Sequence, residues 1–177
     1  MRRPMRPPPE AFRDFPSGPN AKPTMGLRFF FTGDAVEAEW VADALLEGWA
    51  NLAHGSAFAA LHDSAAIYAM VALAGECGFT TQMSIRFRRP IRLGDRVLVR
   101  GKVHAQDAQT VTIASELLVR DEVVSTALTT YAIATADMVR RMVGAELSPY
   151  LSEWLAASPE KRKELALAWG DGSYAPG

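Results

Sequence analysis

A single carboxylate interrupts an otherwise apolar stretch of this chain. Asp63 lies within "GSAFAALHDSAAIYAM", where most neighbours are alanine, leucine, isoleucine, phenylalanine or methionine. Burying a carboxylate without partners costs several kcal/mol or keeps the group protonated. Asp63 therefore either has hydrogen-bond donors or takes part in proton transfer, and the residues by themselves leave both interpretations open.

The residues just before that stretch, "AHGS", stand where the chain enters a predicted helix. First-turn N–H groups have no partner within a helix and lie at the positive end of its dipole, so they attract a negative oxygen. Gly55 lets a ligand approach the backbone closely, and its N–H together with a carboxylate two turns further on is the pair that acyl transfer requires. The alternative is structural: Ser56 caps the helix, and Gly55 is a permissive residue before it.

The apolar pattern around these residues predicts one helix buried on all sides. From residue 56 to residue 74 the apolar side chains are not confined to one stripe, which is typical of such a helix. Before it, "LRFFF" and "VEAEWV" flank the turn "TGDA" and predict a hairpin with one solvent-exposed face. After it, period-two alternation predicts four strands, in "TTQMSIRFRR", in "RVLVRGKVH", in "TVTIASELLVR" and in residues 123–134. This order favours an α+β fold, a curled antiparallel sheet of five to six strands wrapped around one long helix.

The chain of 177 residues is predicted to form one domain with an extension at each end. Residues 1–23 are rich in proline and arginine and favour an extended arm. The core domain is expected in residues 24–135. Residues 136–177 form a helical extension, in which Ser148 and Ser158 each precede a proline and mark two helix starts, the second helix ending near Gly170.

Charge and cysteine content exclude several classes of function. Nineteen basic and twenty acidic side chains leave the chain nearly neutral, so no net field attracts nucleic acid or an anionic membrane. Cys77 is the single cysteine, which precludes an internal disulfide, fits a reducing compartment and favours a buried spectator thiol. The N-terminus has no apolar signal region, and Asp63 and Glu76 interrupt the longest apolar run. We expect a cytoplasmic protein without a membrane span.

The motifs and their order resemble the hotdog-fold acyl-CoA thioesterases, in particular the phenylacetyl-CoA thioesterase-like branch. In that branch the helix entry reads His-Gly-Gly and is followed by Leu-x-Asp, and a Gly-Pro-x-Asn turn precedes a Gly-Leu strand. The resemblance covers residues 17–134 and is carried by "SGPNAKPTMGLRFFF", "GWANLAHGSAFAALHDSAA" and "TTQMSIRFRRPIRLGDRVLVRGKV". It implies a hotdog fold and hydrolysis of a thioester.

The resemblance also implies roles for individual residues. Gly55 matches the glycine whose N–H polarises the thioester carbonyl, and Asp63 matches the catalytic carboxylate, which activates a water or attacks directly to give an anhydride. Thr80 falls where many members have a Ser or Thr near the hydrolytic water. His54 and Ser56 would border the substrate, with His54 also a candidate for bonding the backbone at the helix start. No metal or redox cofactor is implied, and CoA enters only as part of the substrate.

An arginine cluster offers a site for the phosphates of CoA. The segment "RFRRPIR" contains Arg86, Arg88, Arg89 and Arg92, and the planar guanidinium group binds two phosphate oxygens at once. The alternative is a solvated strand face with a basic turn. Nucleic acid is a poor explanation, because no aromatic platform alternates with these arginines.

Two departures from the family pattern leave a second function open. Ser56 replaces the second glycine of the helix entry, and Gly48 stands where many members have Asn. The leading prediction is a thioesterase for a small or medium acyl-CoA, and the alternative is a non-catalytic hotdog module that binds acyl-CoA or an acyl-carrier group as a sensor. Retention of Asp63 favours the enzyme. A His-dependent hotdog dehydratase using His54 fits less well, and His62 is interpreted as structural or interfacial.

The resemblance further implies that two subunits share each site. In the family the carboxylate and the oxyanion donor come from opposing subunits, so the active unit is a homodimer or a dimer of dimers. Exposed sheet edges, which pair readily with another copy, favour the same expectation.

Overall fold

The sheet of this protein curves around a single long helix. The computed structural model describes residues 2–5, 25–143 and 149–168. Seven antiparallel strands lie in the order β1-β2-β3-β5-β6-β7-β4. Their bounds are β1 Arg3–Pro4, β2 Phe30–Phe31, β3 Val36–Val41, β4 Gly78–Phe87, β5 Arg96–Gln106, β6 Thr110–Val119 and β7 Glu122–Ile133. Most of the predicted arm, the helix start at residue 148 and the helix end near residue 170 lie outside the described residues.

The helix α1 spans Gly55–Ala69 and continues as a π-helical turn, Met70–Ala74. Buried residues surround its axis, as the all-round apolar pattern predicts. Gly101 on β5 allows a close approach of the sheet to the helix, because a Cβ at that position would lie 2.7 Å from the Ala65 carbonyl oxygen. Gly75 then ends the helix in a left-handed conformation with φ of 71°.

The helix and its π-helical turn are more apolar than the sequence analysis predicts. By length and composition Gly55–Ala74 is apolar enough to cross a membrane, with a mean hydropathy of 1.5. Asp63 lies inside this segment, so the expectation that it interrupts the apolar run is too strict. Burial accounts for the composition, because 67% of the most apolar window lies inside the protein, against its own sheet.

The first hairpin forms as predicted, with a shorter first strand and an additional neighbour. Phe31 pairs with Val36, and only two residues of "LRFFF" enter β2. Part of the N-terminal arm adds the edge strand β1 beside β2. Met5 continues this contact, since its side chain is buried and its N–H donates to the Phe29 carbonyl oxygen at 2.8 Å.

The four long strands match the predicted segments and place β4 at the opposite edge of the sheet. This ten-residue strand pairs with β7 on one side. On its other side no strand lies among the described residues. The α+β hotdog architecture predicted from sequence is therefore the observed one.

Three C-terminal helices follow the sheet: α2 Ala136–Val143, α3 Pro149–Ala156 and α4 Pro159–Ala168. The sequence reading named helix starts for α3 and α4 but not for α2, which Thr135 caps by accepting the Met138 N–H. Arg162 of α4 ties the helices to the end of α1. Its guanidinium donates to Glu76 at 2.9 Å and to the Leu155 carbonyl oxygen at 2.7 Å.

Candidate active site

His54 organises the entry of α1. It has an extended backbone, with φ −64° and ψ 147°, and is the capping residue, so the expectation that Ser56 caps the helix is wrong. Its Nδ1 accepts the Ser56 N–H at 3.1 Å and lies 2.7 Å from the Ser56 hydroxyl. Its carbonyl oxygen accepts the Ala57 N–H at 2.9 Å. The Gly55 N–H is then the first-turn donor without an acceptor among the described residues.

An aromatic pair borders this donor on one side. The rings of Phe58 and Phe87 lie 5.2 Å apart between centroids, and Phe87 is 56% exposed. A Cβ at Gly55 would meet only the Phe87 ring, at 3.9 Å. The Gly55 backbone is therefore accessible to a ligand from the other sides.

Asp63 is half-buried, and one of its two carboxylate oxygens is held by hydrogen bonds. Oδ1 accepts from the Thr80 hydroxyl at 3.2 Å and from the Tyr131 hydroxyl at 3.2 Å. Oδ2 has no partner among the described residues. Asp63 thus has the donors that one interpretation required, and it keeps a free oxygen for the proton chemistry that the other required.

Tyr131 is the site residue that sequence reasoning missed. Its signal is weak, because Tyr131 is one of many apolar or aromatic side chains in the alternating pattern of β7. Only the pairing of β7 with β4, which sets Tyr131 opposite Thr80, brings its hydroxyl to the helix.

One helix cannot bring Gly55 and Asp63 to the same substrate atom. They are eight residues apart, which is about 12 Å along a helix axis, whereas a reacting carbonyl must lie roughly 3 Å from both groups. The described structure therefore separates two candidate half-sites, the N–H without an acceptor at the start of α1 and the carboxylate beside β4.

The predicted phosphate-binding arginines gather where β4 ends, close to Phe87. Arg89 forms an ion pair with Glu122, which partly neutralises it. Arg86 and Arg88 are exposed, and neither has an acidic partner within the described part of the chain. Arg92 lies in the following turn, where its N–H donates to Asp95. The structure brings these arginines to one end of the sheet. Arg89 is the least available of them for binding a phosphate, because it is already paired with Glu122.

His62 is fully buried and points into the sheet. Of the two roles predicted for it, structural or interfacial, this position agrees with the structural one. Nδ1 lies 2.7 Å from the Ser115 hydroxyl and Nε2 lies 2.9 Å from the Ser125 hydroxyl. Burial lowers the pKa of His62 to about 4, so the ring is neutral at physiological pH. His62 therefore joins α1 to β6 and β7 and has no contact with the open oxygen of Asp63.

The described residues show no group of three or more His, Cys, Asp or Glu side chains that could hold a metal ion. Cys77 is partly buried, and burial raises the pKa of its thiol to about 11. A thiol with this pKa is a poor nucleophile at neutral pH.

The sequence and the fold of this chain are similar to those of known thioesterases. A family model described as the thioesterase superfamily matches residues 50–126, a segment that includes Gly55, Asp63 and Thr80. A solved thioesterase superfamily protein is 23% identical, with a TM-score of 0.63, and the match covers 68% of this chain and 60% of that one. Curated protein sequences give no match.

Two further solved structures share the architecture. The Escherichia coli PaaI protein from the phenylacetic acid degradation operon is 19% identical, with a TM-score of 0.57 over 62% of this chain and 81% of its own. A hypothetical thioesterase protein from Streptococcus pneumoniae TIGR4, solved with coenzyme A, is 21% identical, with a TM-score of 0.52 over 57% of this chain and 82% of its own. At these identities the likeness concerns the fold, and the fold is the hotdog.

Proposed function

We propose that this chain, which has the hotdog fold and matches the thioesterase superfamily model over residues 50–126, is an acyl-CoA thioesterase that hydrolyses a small or medium acyl-CoA to the free acid and CoA. The observation that carries the proposal is the carboxylate of Asp63, held at Oδ1 and without a partner at Oδ2 among residues 2–5, 25–143 and 149–168. The neighbour solved with coenzyme A supports a CoA-linked substrate.

The proposed active unit is a homodimer in which each site combines two half-sites. The Gly55 N–H of one copy and the Asp63 carboxylate of the other face the thioester, because about 12 Å separates them along one helix. The free edge of β4, which carries Thr80 beside Asp63, is the surface on which the second copy docks.

The chemistry follows from these two groups. The Gly55 N–H, at the positive end of the helix, stabilises the negative oxygen that forms when the thioester carbonyl is attacked. In one route Oδ2 of Asp63 takes a proton from a water as that water attacks the carbonyl carbon. In the other, Oδ2 attacks first, and water then cleaves the resulting anhydride. In both routes the carbon–sulfur bond breaks and the CoA thiolate leaves.

A thiol-release assay over a panel of acyl-CoA esters tests the proposal. We expect turnover on at least one small or medium acyl-CoA, and no release of CoA from any ester would refute it. Single turnover in ¹⁸O-labelled water then separates the two routes. Direct attack by water labels only the acid in the first turnover, whereas a label on Asp63 identifies the anhydride route, with water attacking the Asp63 carbonyl carbon.

A sensor without catalysis is the second candidate, and the helix entry supplies the observation that favours it. A Cβ at Gly48 would lie 3.0 Å from the His54 Cα, so the Asn that many family members have there would require His54 to shift by a few tenths of an ångström. Ser56 also replaces a glycine beside the oxyanion donor. A sensor would bind CoA esters without releasing thiol, and calorimetric binding beside the release assay distinguishes the two functions.

A further inference from the structure

Tyr131 on β7 is a buried tyrosine whose hydroxyl contacts Asp63 twice. The side chain is 1% exposed. Its hydroxyl oxygen lies 3.2 Å from Asp63 Oδ1 and 3.4 Å from the Asp63 carbonyl oxygen. A rigid phenol that contacts the main chain and the side chain of one residue restricts the side-chain rotation of that residue.

Thr80 on β4 supplies the second donor to the same oxygen. Thr80 and Tyr131 are directly paired across the two strands, so their side chains project on the same face of the sheet. Both hydroxyls reach Oδ1 of Asp63. The strand pairing therefore builds a two-donor holder for one carboxylate oxygen.

A β-bulge in β4 lets Thr80 face the helix on the same side of the strand as Phe87. Phe87 contacts Phe58 of α1, and Thr80 contacts Asp63 of α1, so both face the helix. They are seven residues apart, and side chains an odd number apart point to opposite faces of a regular strand. The register shifts between Thr80 and Gln82, which inserts one extra residue and returns Thr80 to the helix face.

We propose that Tyr131 is a positioning residue for thioester hydrolysis: with Thr80 it holds Oδ1 of Asp63, so that Oδ2 is the oxygen presented to the water or the thioester. This inference rests on the proposed function, since the orientation of Asp63 affects a rate only if Asp63 reacts.

The test compares kcat and KM of Tyr131→Phe with those of the parent on the best acyl-CoA. Loss of the hydroxyl is expected to lower kcat about 10- to 100-fold, because a reacting group is no longer held in place, while KM changes less than about twofold. Tyr68→Phe is the matched control. Tyr68 is a buried tyrosine of α1 stacked on Phe29, and its variant should keep the parent kcat.

A double-mutant comparison separates positioning from a general structural effect. In an Asp63→Ala background, Tyr131→Phe should cause no further loss of kcat, because both changes remove the same function. Thr80→Val should lower kcat as well, and Thr80→Ser should preserve it. Thr80 is exposed on the edge strand, so this pair tests the holder even if Tyr131→Phe does not fold.

The outcomes that overturn the inference differ from those that overturn the function. A parent chain that hydrolyses no acyl-CoA overturns both. An active parent whose Asp63→Asn variant is inactive, but whose Tyr131→Phe or Thr80→Val variant matches the parent kcat, overturns the holder alone. A Tyr131→Phe variant that raises KM as much as it lowers kcat, or that loses activity further in the Asp63→Ala background, is equally incompatible with positioning.

Discussion

Asp63 and His62 are adjacent in the chain, but helical geometry directs them about 100° apart, and their surroundings differ accordingly. His62 enters the sheet and bonds two serine hydroxyls in complete burial. Asp63 faces the β4 edge, where one oxygen is held and the other has no partner in the part of the chain that the structure describes. Adjacent positions in the chain therefore do not imply a shared role here. The directions of the two side chains on the helix separate His62, which is structural, from Asp63, which is proposed to react.

Replacing Asp63 by Asn tests the proposed reacting group directly. Asp63→Asn should lower kcat by roughly 10²- to 10⁴-fold, the contribution of a well-placed proton acceptor, with little change in substrate binding. The amide keeps an Oδ1 acceptor for Thr80 and Tyr131, so the thermal midpoint should equal that of the parent or exceed it. Asp121→Asn, in the turn between β6 and β7, is the control for loss of charge. Near-parent turnover by Asp63→Asn would exclude the assignment, whatever its melting temperature.

Two neighbouring arginines, Arg88 and Arg89, differ in their ion pairing, since only Arg89 has an acidic partner among the described residues. Arg88→Ala should raise KM for acyl-CoA, more strongly at low salt, and hardly affect a truncated pantetheine thioester that lacks the nucleotide. Arg89→Ala should have the smaller effect, because Glu122 already neutralises Arg89 in part. Steady-state kinetics on both esters at two salt concentrations gives the result. Equal losses on the two substrates would show that neither arginine binds the phosphates.

Helices and strands that are set by a local sequence pattern are predicted correctly. Features that depend on pairing between distant strands are not. The all-round apolar run predicts α1, and period-two alternation predicts the four long strands, because each pattern is set by the element itself. The bulge after Thr80 and the approach of Tyr131 depend on the register between β4 and β7, which no single segment encodes. Ser56 is predicted as the cap because Ser is the commoner helix cap, whereas the expected bond from His54 to the backbone at the helix start is the one that caps α1.

The connection of α1 to β6 and β7 through His62 gives the fold a pH dependence. The pKa of His62 is lowered to about 4 in the folded protein, whereas an exposed His has one near 6.5. The unfolded chain therefore binds more protons between these values, and stability falls as pH falls through this window. From pH 7 to pH 5 the free energy of unfolding should decrease by about 2 kcal/mol from this group.

Urea unfolding at fixed protein concentration and several pH values measures this effect. His62→Gln should remove the His62 contribution to the slope between pH 7 and pH 5, although it lowers stability overall through the lost serine contacts. A parent slope that survives in His62→Gln would assign the pH dependence to other groups.

The molecule as a whole presents surfaces that fit association with a second copy. The ten residues of β4 form a sheet edge that lacks proline, and Phe87 and Trp49 expose 56% and 85% of their surface. An unprotected edge strand of this length pairs readily with another strand. The proposed reaction, which uses both half-sites on one substrate, would require the same association. Light scattering should give a dimer or a tetramer at micromolar concentration, and a folded, fully active monomer would contradict this.

Mixing two inactive variants tests whether the subunits share a site. Gly55→Pro removes the proposed oxyanion donor but suits the first position of a helix, and the extended backbone of His54 is compatible with a following proline. Asp63→Asn removes the carboxylate. A heterodimer of the two variants keeps one intact site, formed by Gly55 of the Asp63→Asn copy and Asp63 of the Gly55→Pro copy.

Refolding the two variants together in equal amounts should therefore restore activity that neither has alone. Random pairing makes half of the dimers heterodimers, each with one of two sites intact, so about a quarter of the parent activity is expected. The variants refolded separately and then assayed are the control. If both groups acted within one protomer, the heterodimer would hold two defective sites and the mixture would stay inactive, which would exclude the shared site and, with it, the requirement for a dimer.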